Sequence, residues 1–488
     1  MPSSVALEDL LHPWLGRYLH APRWVKDSAG RAYRCLPARL RLGPAYERFR
    51  GQLGEGCEEI GLRKLDATLR WALETVPAYR GLRRLAQGKR DPRELLARLP
   101  VTDKADIKRD PERYLSEAMP RGARLELGTG GSTREPMRFF VQKHVTRSRE
   151  YAFMHDFRAR VGATDEDPVL ALRGRTVPTA NQAGGSIWMH EPIRRQLVLS
   201  SDHLEPRFMP AYAEALLAHR PAFIEAFPSA LYPLARWLAA NPLPEFTAHV
   251  RGVMLFSENV YGFQMQVFRE VFGCPIVSHY GQSERVLMAA TMPDDPRYFF
   301  WPQYGHFELL DAEDRPITEP GRVGFIVGTG FDNQVMPFLR YRTGDLGVLS
   351  AGGPHAALPG FPACERIEGR LQEFIVCWDL RLVSVTALGA AHFPELMALD
   401  AIQYEQERPG DLLLKVVAGA PLDAEARARI AAAVEAKLQD GCEVEVVQVE
   451  RIPRTARGKA WMLLQKLDIR DYFENPGRTR FSPTGDAP

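Results

Sequence analysis

The chain has 488 residues, of which 45% are hydrophobic, 25% charged and 10% aromatic. This excludes a disordered or collagen-like polymer and predicts two to four globular domains at roughly 150 residues each. Lys and Arg number 63 against 61 Asp and Glu, a formal charge of +2, so the basic excess of a nucleic-acid scaffold is missing. The six cysteines, at 35, 57, 274, 364, 377 and 442, include no CxxC pair, which argues against a disulfide framework or a structural zinc site.

The set His355, Cys364 and Cys377 reads as ordinary buried residues in preference to a metal site. Glu8 and Asp9 interrupt the stretch where a secretory signal needs an unbroken apolar run. The longest apolar stretch, Ala222 to Ala240, holds Glu225, Pro228, Pro233 and Arg236 and does not suit a bilayer. These features predict a soluble, cytoplasmic protein with no membrane span.

In chain order, residues 61–78 place Leu62, Leu65, Leu69, Leu73 and Val76 at helical spacing, one apolar stripe on a charged helix. Thr102 or Asp103 is suited to cap the next helix. From there to about 350, short β-rich runs alternate with helical ones: Leu125–Leu127, Arg138–Val141, Val169–Leu172, Phe223–Phe227, Gly252–Phe256, Pro275–His279 and Gly324–Gly328. That alternation predicts an α/β architecture. After about 370 the pattern predicts a small α+β unit, with strands at Phe374–Cys377, Leu412–Val417 and Val444–Val449. Its helix starts at Asp423, carries Ile430, Val434 and Leu438, and stops at Gly441.

Four segments suggest chemistry. Thr129-Gly130-Gly131-Ser132-Thr133-Arg134 lies between two strands; its glycines let several N–H groups turn inward toward an anion, although taken alone it also reads as a flexible loop. It lacks the Gly-Lys-Ser/Thr ending of an ordinary P-loop. Tyr280-Gly281-Gln282-Ser283-Glu284 follows an apolar run. A carboxylate there is well sited for Mg²⁺ beside a triphosphate, and an aromatic there can face a purine; the alternative is a plain turn. In Arg340-Tyr341-Arg342-Thr343-Gly344-Asp345, the Asp can accept from both ribose hydroxyls, or the Thr-Gly-Asp can be a turn between strands. Pro453-Arg454-Thr455-Ala456-Arg457-Gly458-Lys459 offers a lysine on a glycine turn, or a basic loop.

Together and in this order the four resemble the core signatures of the adenylate-forming superfamily: acyl-CoA synthetases, peptide-synthetase adenylation domains and luciferases. Gly369-Arg370 resembles that family's inter-domain hinge. Val76-Pro77-Ala78-Tyr79-Arg80, Leu99-Pro100-Val101-Thr102-Asp103-Lys104 and Met336-Pro337-Phe338-Leu339-Arg340-Tyr341 further resemble the phenylacetate–CoA ligase branch, with its CapK-like and coenzyme F390 synthetase-like members. Arg134 stands where the family usually has a second loop glycine, Met137 where many members have lysine, and Gln372, next to Glu373, where the hinge usually has Asp or Lys.

The resemblance implies a large N-terminal ATP- and acyl-binding domain of several mixed α/β subdomains over residues 1–370. It implies a small mobile α+β C-terminal domain over 371–488 that carries the catalytic lysine. It further implies an ATP- and Mg²⁺-dependent, AMP-forming ligase that joins an aromatic or other small organic acid to a thiol, CoA first. Transfer to a separate carrier protein or to an amine, and an inactive nucleotide-binding homologue, are the alternatives. In this reading Thr129 to Arg134, Ser257, Glu258, Tyr280, Gly281, Gln282, Ser283, Asp345 and Arg370 bind nucleotide, Lys459 and Glu284 are catalytic, and Glu284 also holds the metal. Gly369 and Gln372 form the hinge. Phe227, Ser229, Trp188, Met189 and His279 are the candidate acyl-pocket residues.

Overall fold

A computed structural model of the chain describes residues 7, 14, 17–18, 21–54, 56–86, 91–128, 137–173, 177, 185–201, 203–370, 373–388, 399–454, 460–469 and 472. The chain forms two compact units, one from residues 1–165 and 279–366, the other from 166–278 and 367–488.

In the first unit, the apolar stripe seen in the sequence becomes the helix Cys57–Thr75, followed after Val76 by the short helix Pro77–Arg80. Proline at the first helical position of the second piece explains the break, because it has no N–H to continue the ladder. Leu65, Leu69, Leu73 and Val76 pack with Leu95, Leu96, Leu99, Phe331 and Leu339 into one core cluster. Asp103, not Thr102, caps the helix Lys104–Arg109, in a reciprocal box with Asp106. Thr102 is buried and donates from Oγ1 to the Leu339 carbonyl at 3.1 Å. Arg124–Gly128 and Arg138–Gln142 pair as an antiparallel hairpin. The remaining strands of this unit are antiparallel: Met288–Met292 with Asp295–Phe300, and Gly305–Leu310 with Val323–Gly330 and then Tyr341–Leu349.

The second unit is built on parallel strands with helical crossovers. Val169–Leu172 lies between Gln196–Leu199 and Phe223–Ala226, and the latter pairs in parallel with Gly252–Phe256. All residues of Val169–Leu172, Phe223–Ala226 and Gly252–Phe256 are buried, as expected for strands covered on both faces. The crossovers include the helices Met209–His219 and Pro228–Ala240. This unit also holds a four-stranded mixed sheet, Glu443–Gln448, Asp411–Val417, Ala401–Arg408 and Leu463–Gln465. The helix Ala424–Lys437 is capped by the Asp423 carboxylate. It ends at Lys437, not at Gly441, because Gln439 and Asp440 both take left-handed backbone angles. No helix among the described residues is long and apolar enough to cross a membrane.

Candidate active site

The first unit brings together two of the four segments. Ile276–Gly281 is a strand, and its last residues pair with the next strand, Tyr280 opposite Ala289 and Gly281 opposite Met288. The chain then turns through Gln282, Ser283 and Glu284, with the Arg285 amide closing onto the Gln282 carbonyl at 3.1 Å. Arg285 sits at φ 59°, a left-handed conformation that side chains other than glycine resist. Buried Arg149 holds it there, donating from Nη2 to the Arg285 carbonyl at 2.8 Å while its guanidinium lies 4.0 Å over the Tyr304 ring. The Gln282 side-chain carbonyl accepts from the Leu287 amide at 3.2 Å and further fixes the turn.

The third segment is not a turn, contrary to one of the two sequence readings. Thr343, Gly344 and Asp345 lie inside the strand Tyr341–Leu349, where pairing jumps from Phe325–Leu346 to Val327–Arg342. Three residues therefore face one, Ile326, and the strand bulges. Gly344 at φ 83° supplies the left-handed residue such a bulge needs. Thr343 Oγ1 pins the bulge by donating to the Ile326 carbonyl at 2.9 Å and accepting from the Asp345 amide at 3.1 Å.

The two segments are tied crosswise. The Tyr280 hydroxyl donates to Asp345 Oδ2 at 2.8 Å, and the Tyr341 hydroxyl donates to Glu284 Oε1 at 2.8 Å. Each segment's tyrosine thus orients the other segment's carboxylate. Burial, and then the neighbouring Asp345 charge, hold the Tyr280 hydroxyl far above its ordinary pKa, so it stays a donor at neutral pH. Asp345 is 8% exposed and Glu284 is half-buried. His279, one of the pocket candidates, packs edge-on against Phe157 at 5.4 Å, next to this strand end.

The second unit assembles other candidates. Phe227 precedes the helix Pro228–Ala240, and Ser229 lies in its first turn. The Glu258 carboxylate accepts from the Ser229 amide at 2.9 Å and from Ser229 Oγ at 3.0 Å. Ser257 takes the left-handed angle φ 61°, which turns the chain out of Gly252–Phe256. Gly369 adopts φ 92°, a left-handed angle that favours glycine, and a Cβ there would displace the ends of the Glu373 and Asn259 side chains. Trp188 and Met189 lie on the strand Trp188–Glu191. Trp188 packs edge-on to His219 at 4.9 Å, and Met189 packs against Ala171, Val177 and Val198. Thr129 to Arg134, Gln372 and Lys459 lie outside the described residues, and Arg370 is described only as the last residue of the strand Ala363–Arg370.

Sequence reasoning missed Arg149 and the role of Tyr341. Arg149 stands four and eight residues before buried Phe153 and Phe157, in phase with an apolar helix face; that mismatch is its one sequence signal. Among the described residues no three His, Cys, Asp or Glu side chains converge as a metal cage. A single oriented carboxylate such as Glu284 fits a hard cation that arrives with phosphate oxygens as most of its ligands.

No family model matches the chain. Among curated proteins it is similar to Protein CapK of Staphylococcus aureus, with 22% identity over 297 residues, 60% of this chain and 63% of CapK. The match therefore spans less than two thirds of CapK. Among solved structures it is similar to 2-hydroxyisobutyryl-CoA ligase in the postadenylation state in complex with R3-HIB-AMP, with a TM-score of 0.63 at 18% identity, over 86% of this chain and 91% of that one. It is also similar to AtGH3.15 acyl acid amido synthetase in complex with 2,4-DB, with a TM-score of 0.54 at 14% identity, over 88% and 95% of the two chains. The chain has the mixed α/β fold of the adenylate-forming ligases.

Proposed function

We propose that this protein is an ATP-dependent, AMP-forming ligase that converts a small carboxylic acid to an acyl-adenylate and passes the acyl group to a thiol, CoA first. The crosswise pairing of Tyr280 with Asp345 and of Tyr341 with Glu284 carries this reading. It holds two carboxylates in fixed orientations at a strand end and a bulge, where one can take ribose hydroxyls and the other can face the phosphates. An aromatic or other small organic acid is the proposed substrate class.

In the first half-reaction a substrate carboxylate oxygen attacks the α-phosphorus of ATP, and pyrophosphate leaves. Asp345 holds the ribose, and Tyr280 keeps that carboxylate aimed. Thr129 to Arg134 hold the departing pyrophosphate through backbone N–H groups, hydroxyls and the Arg134 cation. Mg²⁺, when bound with the nucleotide, would be held by Glu284 and would offset charge on the phosphate oxygens. Lys459 places a point cation between the two anions that must meet. Residues 1–370 and 371–488 act as the two domains of this cycle, turning about Gly369 and Gln372 between half-reactions.

The likeness in fold to a CoA ligase supports CoA as acceptor. The likeness to an amido synthetase favours an amine as the second reading. ATP–pyrophosphate exchange over a panel of carboxylic acids tests the first half-reaction. Repeating it with CoA, a holo carrier protein and simple amines sorts the acceptors. Exchange with no acid would leave only a nucleotide-binding protein.

A further inference from the structure

The strands Phe374–Val376 and Leu382–Ser384 pair antiparallel, and a tight turn joins them. Cys377 begins that turn: its amide donates to the Arg381 carbonyl at 2.9 Å, and its carbonyl accepts from the Leu380 amide at 3.0 Å. The chain passes the same place again at Cys442, just before the strand Glu443–Gln448. Backbone bonds hold the two passes together. The Trp378 amide donates to the Gly441 carbonyl at 2.9 Å. Gly410 accepts from the Glu443 amide at 2.7 Å and donates to the Val376 carbonyl at 2.9 Å. Gly441 allows so close an approach, because a Cβ there would meet Cys377 Sγ at 2.8 Å.

Between these bonds the two thiols meet. The Cys442 thiol donates to Cys377 Sγ at 4.0 Å, across 65 residues of sequence, and both residues are buried. A cation is fixed beside them. The same Cβ at Gly441 would meet Arg381 Nη2 at 2.8 Å, so the guanidinium and the Cys377 sulfur are neighbours. Asp379 Oδ2 at 2.6 Å, Gln439 Oε1 at 2.7 Å and the Leu438 carbonyl at 3.1 Å hold that guanidinium in place. The hydrogen bond from Cys442 pulls the Cys377 pKa below the ordinary thiol value against the opposing effect of burial, and the Arg381 charge adds to the pull. Burial pushes the Cys57, Cys274 and Cys364 thiols the other way.

We propose that Cys377 and Cys442 form a redox-sensitive staple: hydrogen peroxide converts the pair to a disulfide that ties the turn Cys377–Arg381 to the head of the strand Glu443–Gln448. All of these residues lie in one compact unit, and the staple does not depend on the ligase reading. The Cys377 thiolate attacks one peroxide oxygen; an S–O bond forms, the O–O bond breaks, and the leaving hydroxide takes up the thiol's proton as water. The Cys442 sulfur then attacks the sulfenic sulfur and gives up its own proton. An S–S bond forms, the S–O bond breaks, and the hydroxyl leaves with that proton as a second water. Two thiols are oxidised and one peroxide is reduced. The sulfurs have to close from 4.0 Å to a bonded distance of about 2 Å, between backbone segments that are already bonded to each other. Trp378, the next residue, is 54% exposed, so a local opening of this surface turn admits a molecule as small as peroxide.

The test treats the full-length protein with a small excess of hydrogen peroxide, blocks the remaining free thiols after denaturation, and maps the peptides. Mapping should give a linked pair that contains Cys377 and Cys442, and dithiothreitol should restore both thiols. Hydrogen exchange at the Trp378 amide, which is bonded beside the cross-link, should slow about tenfold or more on oxidation, because the disulfide suppresses local opening. In Cys442→Ser, dimedone should label Cys377 as its sulfenic acid, since the second thiol is gone.

The staple is overturned if Cys377 and Cys442 both stay free, or if either links to another cysteine or goes on to sulfinic acid. Unchanged Trp378 exchange in the cross-linked protein overturns the stapling effect, and no dimedone label in folded Cys442→Ser overturns Cys377 as the attacking thiol. If Cys442→Ser does not fold, the peptide map and the exchange rate of the wild type still decide the staple.

Discussion

The Tyr280 hydroxyl lies 2.8 Å from Asp345 Oδ2, across 65 residues of sequence. A carboxylate that is both 8% exposed and already oriented by a donor loses little freedom when it takes a ribose. Asp345→Ala should therefore weaken ATP binding at least tenfold, since up to two charge-assisted hydrogen bonds at roughly 1.5–3 kcal/mol each are removed. Tyr280→Phe keeps the ring and should cost less, about 1 kcal/mol, the worth of one hydrogen bond. Calorimetric titration of ATP into the folded variants checks both, and an unchanged dissociation constant in Asp345→Ala would leave the residue as bulge structure only.

A second prediction concerns Lys459. In the proposed reaction its charge helps only while two anions are being joined, and the second half-reaction starts from a neutral acyl carbonyl. Lys459→Ala should cut adenylate formation by about a hundredfold or more, and acyl transfer from supplied acyl-adenylate should stay near wild type. Single-turnover kinetics of each step reads this out, and equal losses in both would remove the case for two orientations.

Part of this was legible in the sequence and part was not. Leu65, Leu69 and Leu73 announce their helix because burial repeats with the helical period, and the strand Val169–Leu172 is found where its apolar run predicts it. The candidate carboxylates were legible as types at motif spacings. Their partners were not: Tyr341 to Glu284 and Tyr280 to Asp345 span 57 and 65 residues, and such pairs leave no periodic trace. The end of the helix Ala424–Lys437 was misplaced because Gln439 and Asp440, both free to be helical by composition, take left-handed angles before the glycine is reached.

Gly305 gives a prediction about stability. A Cβ at this residue would meet the Val286 carbonyl at 2.0 Å, and Val286 follows the turn that carries Glu284. Gly305→Ala should destabilise the fold by about 1–3 kcal/mol through overpacking. It should also raise KM for ATP more than it lowers kcat, because the strand is pushed from the turn. Urea unfolding and steady-state kinetics check the two parts, and a neutral variant would mean that the strand has room to move.

His306, the next residue, predicts a pH dependence. Burial, then the nearby Arg93 charge, push its pKa down to about 4, below the ordinary histidine value of about 6.5. The unfolded chain therefore binds a proton in the window between these values while the folded chain does not. Stability is full above about pH 6.5 and is lost as pH falls toward 4. The loss assigned to this residue is about 2–3 kcal/mol. Urea titrations at pH 7.5 and 4.5 should show the wild type losing more than His306→Gln by about that amount, and parallel profiles would exclude His306 as the cause.

The proposed reaction turns on a substrate carboxylate oxygen attacking the α-phosphorus of ATP. The most direct measurement supplies the accepted acid labelled with ¹⁸O in both carboxylate oxygens, completes the reaction with the acceptor, and weighs the AMP. Attack through the carboxylate leaves one labelled oxygen on the AMP phosphate, a gain of about 2 Da, with pyrophosphate unlabelled. Unlabelled AMP, or ADP in place of AMP, would contradict acyl-adenylate formation by this protein.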